Sequence, residues 1–214
     1  MAIVVIGGHS RSVGKTSVVA GLISALPERS WTAIKITQYG HGICSRDGQP
    51  CDCAVDDQEH SYAVTEELDR SGESDTSRFL VAGACRVLWV RTRQGYLAEA
   101  MPRLRRELER TENIIIESNS VLRFLRPDLY LTVLNPANPD FKASAREYLG
   151  CADALILDIP PAGNLEIAPL WEGVSLKPAA NKPLFRVSPP LYVTPEIVDF
   201  VRRRITTRET QTTN

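Results

Sequence analysis

The stretch that decides the fold runs Val4-Val5-Ile6-Gly7-Gly8-His9-Ser10-Arg11-Ser12-Val13-Gly14-Lys15-Thr16-Ser17. A short, uniformly apolar run enters a glycine-containing turn. The turn closes on Gly-Lys-Thr, and residues 16–26 then place Val18, Val19, Leu22 and Ile23 on one helical stripe. A strand feeding such a loop turns backbone N–H groups toward a phosphate at the positive end of the helix dipole. Lys15 is expected to reach the β- and γ-phosphates as a compact charge, and the Thr16 hydroxyl to ligate Mg²⁺. Gly8, Ser12, Val13, Gly14, Lys15, Thr16 and Ser17 therefore form the expected phosphate cradle. The chain holds five lysines against twenty arginines, so a lysine at this one position is informative. The spacing departs from the usual motif in one respect. Four residues normally separate the first glycine from Gly-Lys, which would put a glycine where His9 stands.

Outward from the loop, short continuous apolar runs recur at residues 3–6, 87–90, 114–116, 131–134 and 154–159, with further strands expected at 31–37 and 184–187. Uniformly apolar runs of this length suit strands buried on both faces of a parallel sheet. Helical patterns lie between them, notably residues 94–110, where Leu97, Met101, Leu104 and Leu108 recur at three and four. This alternation predicts an α/β protein, a three-layer doubly wound, mostly parallel sheet of the P-loop NTPase type. Residues 1–205 are read as a single nucleotide-binding domain, with a cysteine-containing loop at 38–60 and a Pro/Ala/Gly-rich insertion at 160–183. A last helix is expected over 194–204, with Thr194 as N-cap and Pro195 in its first position. Residues 206–214 read as a disordered tail.

Composition narrows the function classes. The 214 residues are 43 % hydrophobic and 24 % charged, too apolar for a disordered chain. A net charge of −1 lacks the basic excess of a generic nucleic-acid binder. No apolar run reaches the length of a membrane span. A cytoplasmic protein with neither nucleic acid nor membrane as partner is expected.

A magnesium nucleotide needs a carboxylate at the end of a neighbouring strand. Glu117 is the first polar residue after Ile114-Ile115-Ile116, and with Lys15 it is the expected catalytic pair. Lys35 interrupts the apolar strand 31–37, which costs free energy unless the lysine is ion-paired or reaches the ligand crevice. Both readings stand. Asp75 reads either as the N-cap of a helix carrying Arg78 or as part of the nucleotide site. Base recognition has no clear signal: Asn181-Lys182-Pro183 is followed by Leu184 rather than an acid, leaving Asn135 and Asp158 as candidates and ATP nearly as well suited as GTP.

Cys44, Cys51 and Cys53, flanked by His41 and His60, place five soft or borderline donors within twenty residues. Such a set suits Zn²⁺ or an iron–sulfur cluster, although the spacing matches no common finger. Cys85 and Cys151 adjoin apolar segments and read as small core residues.

The loop, Ile34-Lys35-Ile36-Thr37, Asp75-Thr76-Ser77-Arg78 with Ala82-Gly83-Ala84, and Ile114-Ile115-Ile116-Glu117 occur in an order that resembles the molybdopterin-guanine dinucleotide biosynthesis protein B (MobB) family. The resemblance implies a homodimeric GTP-binding protein that assists attachment of a guanine nucleotide to molybdopterin, with molybdopterin cofactor enzymes as partners. Hydrolysis is expected to be slow, because no catalytic glutamine or arginine finger stands out. Two other classes fit the residues: a nickel-type metallochaperone GTPase using Cys44, Cys51 and Cys53, and a small-molecule kinase or dethiobiotin-synthetase-like ligase.

Overall fold

Strands apolar on both faces need hydrogen-bonded neighbours at their edges and helices above and below. The computed structural model, which describes residues 2–39, 61–159 and 175–212, meets that need with one eight-stranded sheet. The strands are β1 (Ala2–Gly8), β2 (Thr32–Tyr39), β3 (Tyr62–Glu66), β4 (Arg86–Arg93), β5 (Asn113–Glu117), β6 (Leu129–Leu134), β7 (Ala154–Asp158) and β8 (Leu184–Val187). Their order is β3-β4-β2-β5-β1-β6-β7-β8, and every pairing is parallel except β3 on β4.

Helices α1 (Lys15–Ala25), α2 (Asp75–Val81) and α5 (Pro195–Thr212) cover one face, through Val18, Leu22, Phe79, Ile197 and Val201. Helices α3 (Leu97–Leu108) and α4 (Ala143–Tyr148) cover the other, through Leu97, Met101, Leu104 and Ala145. The protein is thus a three-layer α/β fold with a mostly parallel sheet. Each fully buried leucine or isoleucine contributes about 1.5–3 kcal/mol relative to exposure, so the two faces carry most of the folding free energy. Central β1 lies between β5 and β6, which gathers the C-terminal ends of four parallel strands around the loop that follows it. Among the described residues no helix is long and apolar enough to cross a membrane.

Several expectations shift. All seven expected strands form, but β3 was not legible. Its Tyr-Ala-Val-Thr-Glu sequence is only half-buried, an antiparallel edge without the continuous apolar run of a central strand. Gln38 and Tyr39 extend β2 rather than opening a loop, because both pair with β4. Helix α5 runs on to Thr212, through the segment read as a disordered tail. Cys85 and Cys151 are exposed, not core residues: each sits in a turn that leads into a strand, where the backbone turns at the surface. His41, Cys44, Cys51, Cys53 and His60 lie outside the described residues, as do residues 160–174 of the insertion.

Candidate functional site

The loop between β1 and α1 is shaped by two residues in the left-handed region, Ser12 at φ 55° and Gly14 at φ 94°. A non-glycine residue held there is strained, and such strain gathers at ligand-binding loops. Gly14 is tied to this position twice over, because a Cβ there would also run into the Tyr192 ring. Helix α1 begins without a side-chain cap and without an acid in its first turn. Its unpaired N–H groups and positive dipole end are therefore directed at the loop.

The departure from the usual spacing has a structural account. Gly8 still belongs to β1, and His9 turns inward to become fully buried against Phe141, with ring centroids 5.2 Å apart. Its Nε2 lies 3.2 Å from the Asn138 carbonyl, and Nδ1 lies 3.4 Å from the Asn135 backbone N–H and 3.5 Å from the Val133 carbonyl. Burial lowers its pKa accordingly. Next to it, the Ser10 hydroxyl donates to Asp140 at 2.6 Å and the Lys142 N–H to the His9 carbonyl at 2.9 Å. The segment after β6 thus braces the loop from outside.

Lys15 reaches back across the loop and donates to the Ser10 carbonyl at 2.6 Å. Burial pulls its pKa down from 10.5 to about 8, against the attraction of Glu117. Thr16 donates through Oγ1 to Glu117 Oε2 at 2.8 Å. The other Glu117 oxygen accepts from Lys35 Nζ at 2.9 Å, and Lys35 also pairs with Asp75 at 2.7 Å. Strand pairing enforces the meeting, since Lys35 on β2 lies directly beside Glu117 on β5. Burial opposes the Lys35 charge, but Glu117 and Asp75 outweigh it and raise its pKa. Of the two readings left open for Lys35, the ion pair is the one present: its ammonium is held between Glu117 and Asp75.

Asp75 does not cap α2. Ser74 does, its side chain accepting from the Ser77 N–H at 3.0 Å, because the Asp75 carboxylate is drawn across to Lys35. Arg78 lies one turn on and donates to Ser17 Oγ at 3.1 Å, linking α2 to the first turn of α1. Lys15, Thr16, Ser17, Lys35, Asp75 and Glu117 are therefore one contiguous cluster.

Three participants had not been expected. Asn119 grips Gly8 with both ends of its amide, accepting from the Gly8 N–H at 2.9 Å and donating to the Gly8 carbonyl at 2.7 Å. A Cβ on Gly7 would collide with the same amide, so Gly7 is required by close approach. The place of Asn119, two residues after Glu117 at the end of β5, was the available signal. Asp140 and Tyr192 lie too far along the chain for any spacing rule to find. Of the base-recognition candidates, Asn135 donates to Asp158 Oδ2 at 3.0 Å across the ends of β6 and β7, and burial raises the Asp158 pKa.

Oxygen donors of the Thr16 and Glu117 type suit a hard ion such as Mg²⁺. Among the described residues no cluster of three or more His, Cys, Asp or Glu could hold a metal. Comparison with known proteins adds little. No family model matches the sequence. No curated protein matches it. Among solved structures the chain is similar to LpxK from Aquifex aeolicus, in its "apo" form in complex with ATP, at 20 % identity and a TM-score of 0.48. The likeness covers 87 % of this chain and 53 % of that one, so the chain spans about half the length of this neighbour.

Proposed function

We propose that this chain binds a magnesium nucleoside triphosphate at the loop after β1 and transfers the γ-phosphoryl group to a small acceptor on the Lys35 side of the site. One observation carries the reading: the unbroken contact chain from Thr16 through Glu117 to Lys35 and Asp75, set against the buried amine of Lys15. In this reading the backbone of Ser12, Val13 and Gly14 cradles the β-phosphate, with Gly8 and Ser17 at the edges of the cradle. Lys15 binds the β- and γ-oxygens. Thr16 and Glu117 hold Mg²⁺, which neutralises charge on those oxygens. A carboxylate engaged by a metal attracts Lys35 less, which leaves the ammonium to meet the γ-phosphoryl group. ATP and GTP are both admitted, with Asn135 and Asp158 as the groups nearest a base.

The test is incubation with γ-labelled ATP and GTP in the presence of pooled small metabolites. Label recovered on an organic acceptor supports transfer. Label recovered only as free phosphate, at a slow rate, supports the second reading, a MobB-like accessory GTP-binding protein of molybdenum-cofactor maturation acting as a homodimer with molybdopterin enzymes. What favours that reading is that each segment carrying the family resemblance contributes to one cluster: Lys35, Asp75 and Glu117. Cys44, Cys51 and Cys53, with His41 and His60, are proposed as ligands for Zn²⁺ or an iron–sulfur cluster. Metal content of anaerobically purified protein, compared with a triple cysteine-to-serine variant, tests this directly.

A further inference from the structure

The strand order gives the phosphate loop two flanks. β1 lies between β5 and β6, so Glu117 and Lys35 stand on one side of the loop and the segment after β6 on the other. That segment runs alongside the loop residue by residue. The Lys142 N–H donates to the His9 carbonyl at 2.9 Å, the Ser10 hydroxyl to Asp140 at 2.6 Å, and the Asn138 side chain to the Arg11 carbonyl at 3.3 Å. Lys142 is thereby tethered just before Ser10, and Arg11 follows it. The Ser10 carbonyl is the group that accepts from the Lys15 ammonium, at 2.6 Å. Of the five lysines in the chain, Lys15, Lys35 and Lys142 thus gather at one loop.

Lys142 differs from Lys35 in having no acid to hold it. The residue is half-buried, yet among the described residues its ammonium makes no hydrogen bond or ion pair, and neither does the guanidinium of exposed Arg11. Burial and the like charge of Arg11 lower the Lys142 pKa, and the attraction of Asp140, already bound by Ser10, does not offset them. Like charges set close without a counter-charge cost free energy, and an anion between them reverses the sign. On the opposite flank, Glu117 and Asp75 offset most of the charge of Lys15, Lys35 and Arg78. A magnesium triphosphate bound there keeps negative charge that this flank does not neutralise.

We propose that Lys142 and Arg11 bind the γ-phosphate from the β6 flank and make the site selective for a nucleoside triphosphate over the diphosphate. The inference rests on the nucleotide-binding part of the reading above and adds the residues that specify which nucleotide is held. Lys15 fixes the end of the phosphate chain that they meet. It is assigned to the β- and γ-oxygens, and its ammonium lies at Ser10, between the points where the two cations are tethered. The β-phosphate is enclosed by the backbone N–H groups of residues 12–14, which leaves the γ-phosphate to the side chains that precede them. The lysine offers a compact charge on a flexible stem, and the arginine a fork able to take two phosphate oxygens. A diphosphate leaves both cations as they stand in the ligand-free protein, whereas a triphosphate supplies the anion they share. Their loss therefore changes the preference between the two nucleotides rather than the affinity for both.

Calorimetry on the full chain with Mg²⁺ compares the β,γ-imido analogue of ATP or GTP with the matching diphosphate. Wild-type protein should bind the analogue more tightly. Lys142→Met should reduce that preference about tenfold and Arg11→Met about threefold, with diphosphate affinity unchanged. Lys142→Arg keeps the charge and should retain the preference. Arg11 is exposed, so Arg11→Met decides the matter if Lys142→Met does not fold. A wild type without the preference, a preference kept in both methionine variants, or equal weakening of both nucleotides overturns the γ-phosphate contact and leaves the nucleotide reading standing. Failure of the wild type to bind either nucleotide overturns both.

Discussion

Replacing Lys15 with methionine should make the ligand-free protein more stable while removing its affinity for nucleotide. In the ligand-free protein the Lys15 ammonium is largely withdrawn from water, and burial moves its pKa from 10.5 to about 8. That distance corresponds to about 3 kcal/mol held against the fold at neutral pH. Methionine is of similar length, carries no charge and loses one hydrogen bond, that to the Ser10 carbonyl at 2.6 Å. Such a bond contributes about 1 kcal/mol net. The difference leaves Lys15→Met more stable by about 2 kcal/mol at pH 7, a rise in Tm of about 4–8 °C for a domain of this size.

The sign of the pH dependence separates this account from a generic packing effect. Below about pH 8 the lysine is charged in both folded and unfolded chains, and the full cost is present. Between about 8 and 10.5 the unfolded chain binds the proton and the folded chain does not, so wild-type stability gains from this group as pH rises. Methionine has no such term, and the advantage of the variant should shrink between pH 7 and pH 9.5. Differential scanning calorimetry at the two pH values measures both. A variant no more stable than wild type at pH 7, or a gap unchanged at pH 9.5, refutes the reasoning. Magnesium nucleotide affinity should fall at least tenfold in the same variant, since a charge-assisted contact contributes about 1.5–3 kcal/mol.

The remaining perturbations address the other parts of the site. Glu117→Gln should retain nucleotide binding but lose most of its magnesium dependence, read by titration with and without Mg²⁺; unchanged dependence removes Glu117 from the metal. Asn119→Ala deletes both hydrogen bonds to Gly8 and should destabilise the fold by about 2 kcal/mol in urea unfolding, with a larger effect on nucleotide affinity than on core packing. Gly14→Ala must hold φ 94° against the Tyr192 ring and should lose both stability and nucleotide binding, with Tyr192→Ala restoring part of the stability. His9 has its pKa lowered by burial, so the unfolded chain binds its proton first and stability should fall as pH drops below about 6.5. His9→Phe should flatten that part of the stability–pH curve, and an unchanged slope assigns it to other groups.

How much of this could be read from the sequence follows from the range over which each signal acts. The loop, α1 and the buried strands are written in local periodicity and turn chemistry, and those elements stand where expected. That Glu117 meets the loop, where it accepts from Thr16, was legible from its place at the end of a buried strand. Lys35 could be flagged as anomalous but not explained, since its partners Glu117 and Asp75 arrive from two other elements through strand register and helix placement. The cap of α2 was misread for a related reason. Ser74 and Asp75 are both good caps by type, and only the tertiary demand of Lys35 on Asp75 leaves the role to Ser74.

His9 shows how a departure from a motif can carry information. A side chain at that position, pointing into the loop, would occupy space needed by a phosphate, which is why the usual motif has glycine there. Here β1 continues through Gly8, whose backbone is clamped at both polar atoms by Asn119, and the extra loop residue allows His9 to be turned away from the loop and buried. Once buried, an imidazole needs partners, and Asn135 and Asn138 supply them from the segment whose Asp140 also accepts from Ser10 and whose Lys142 N–H donates to the His9 carbonyl. The longer loop is therefore held from both sides, by Asn119 beneath and by residues 135–142 outside. A loop so braced need not be ordered by its ligand, so the entropic cost of binding falls mainly on the phosphates rather than on the chain. The strain at Ser12 and Gly14 can persist for the same reason.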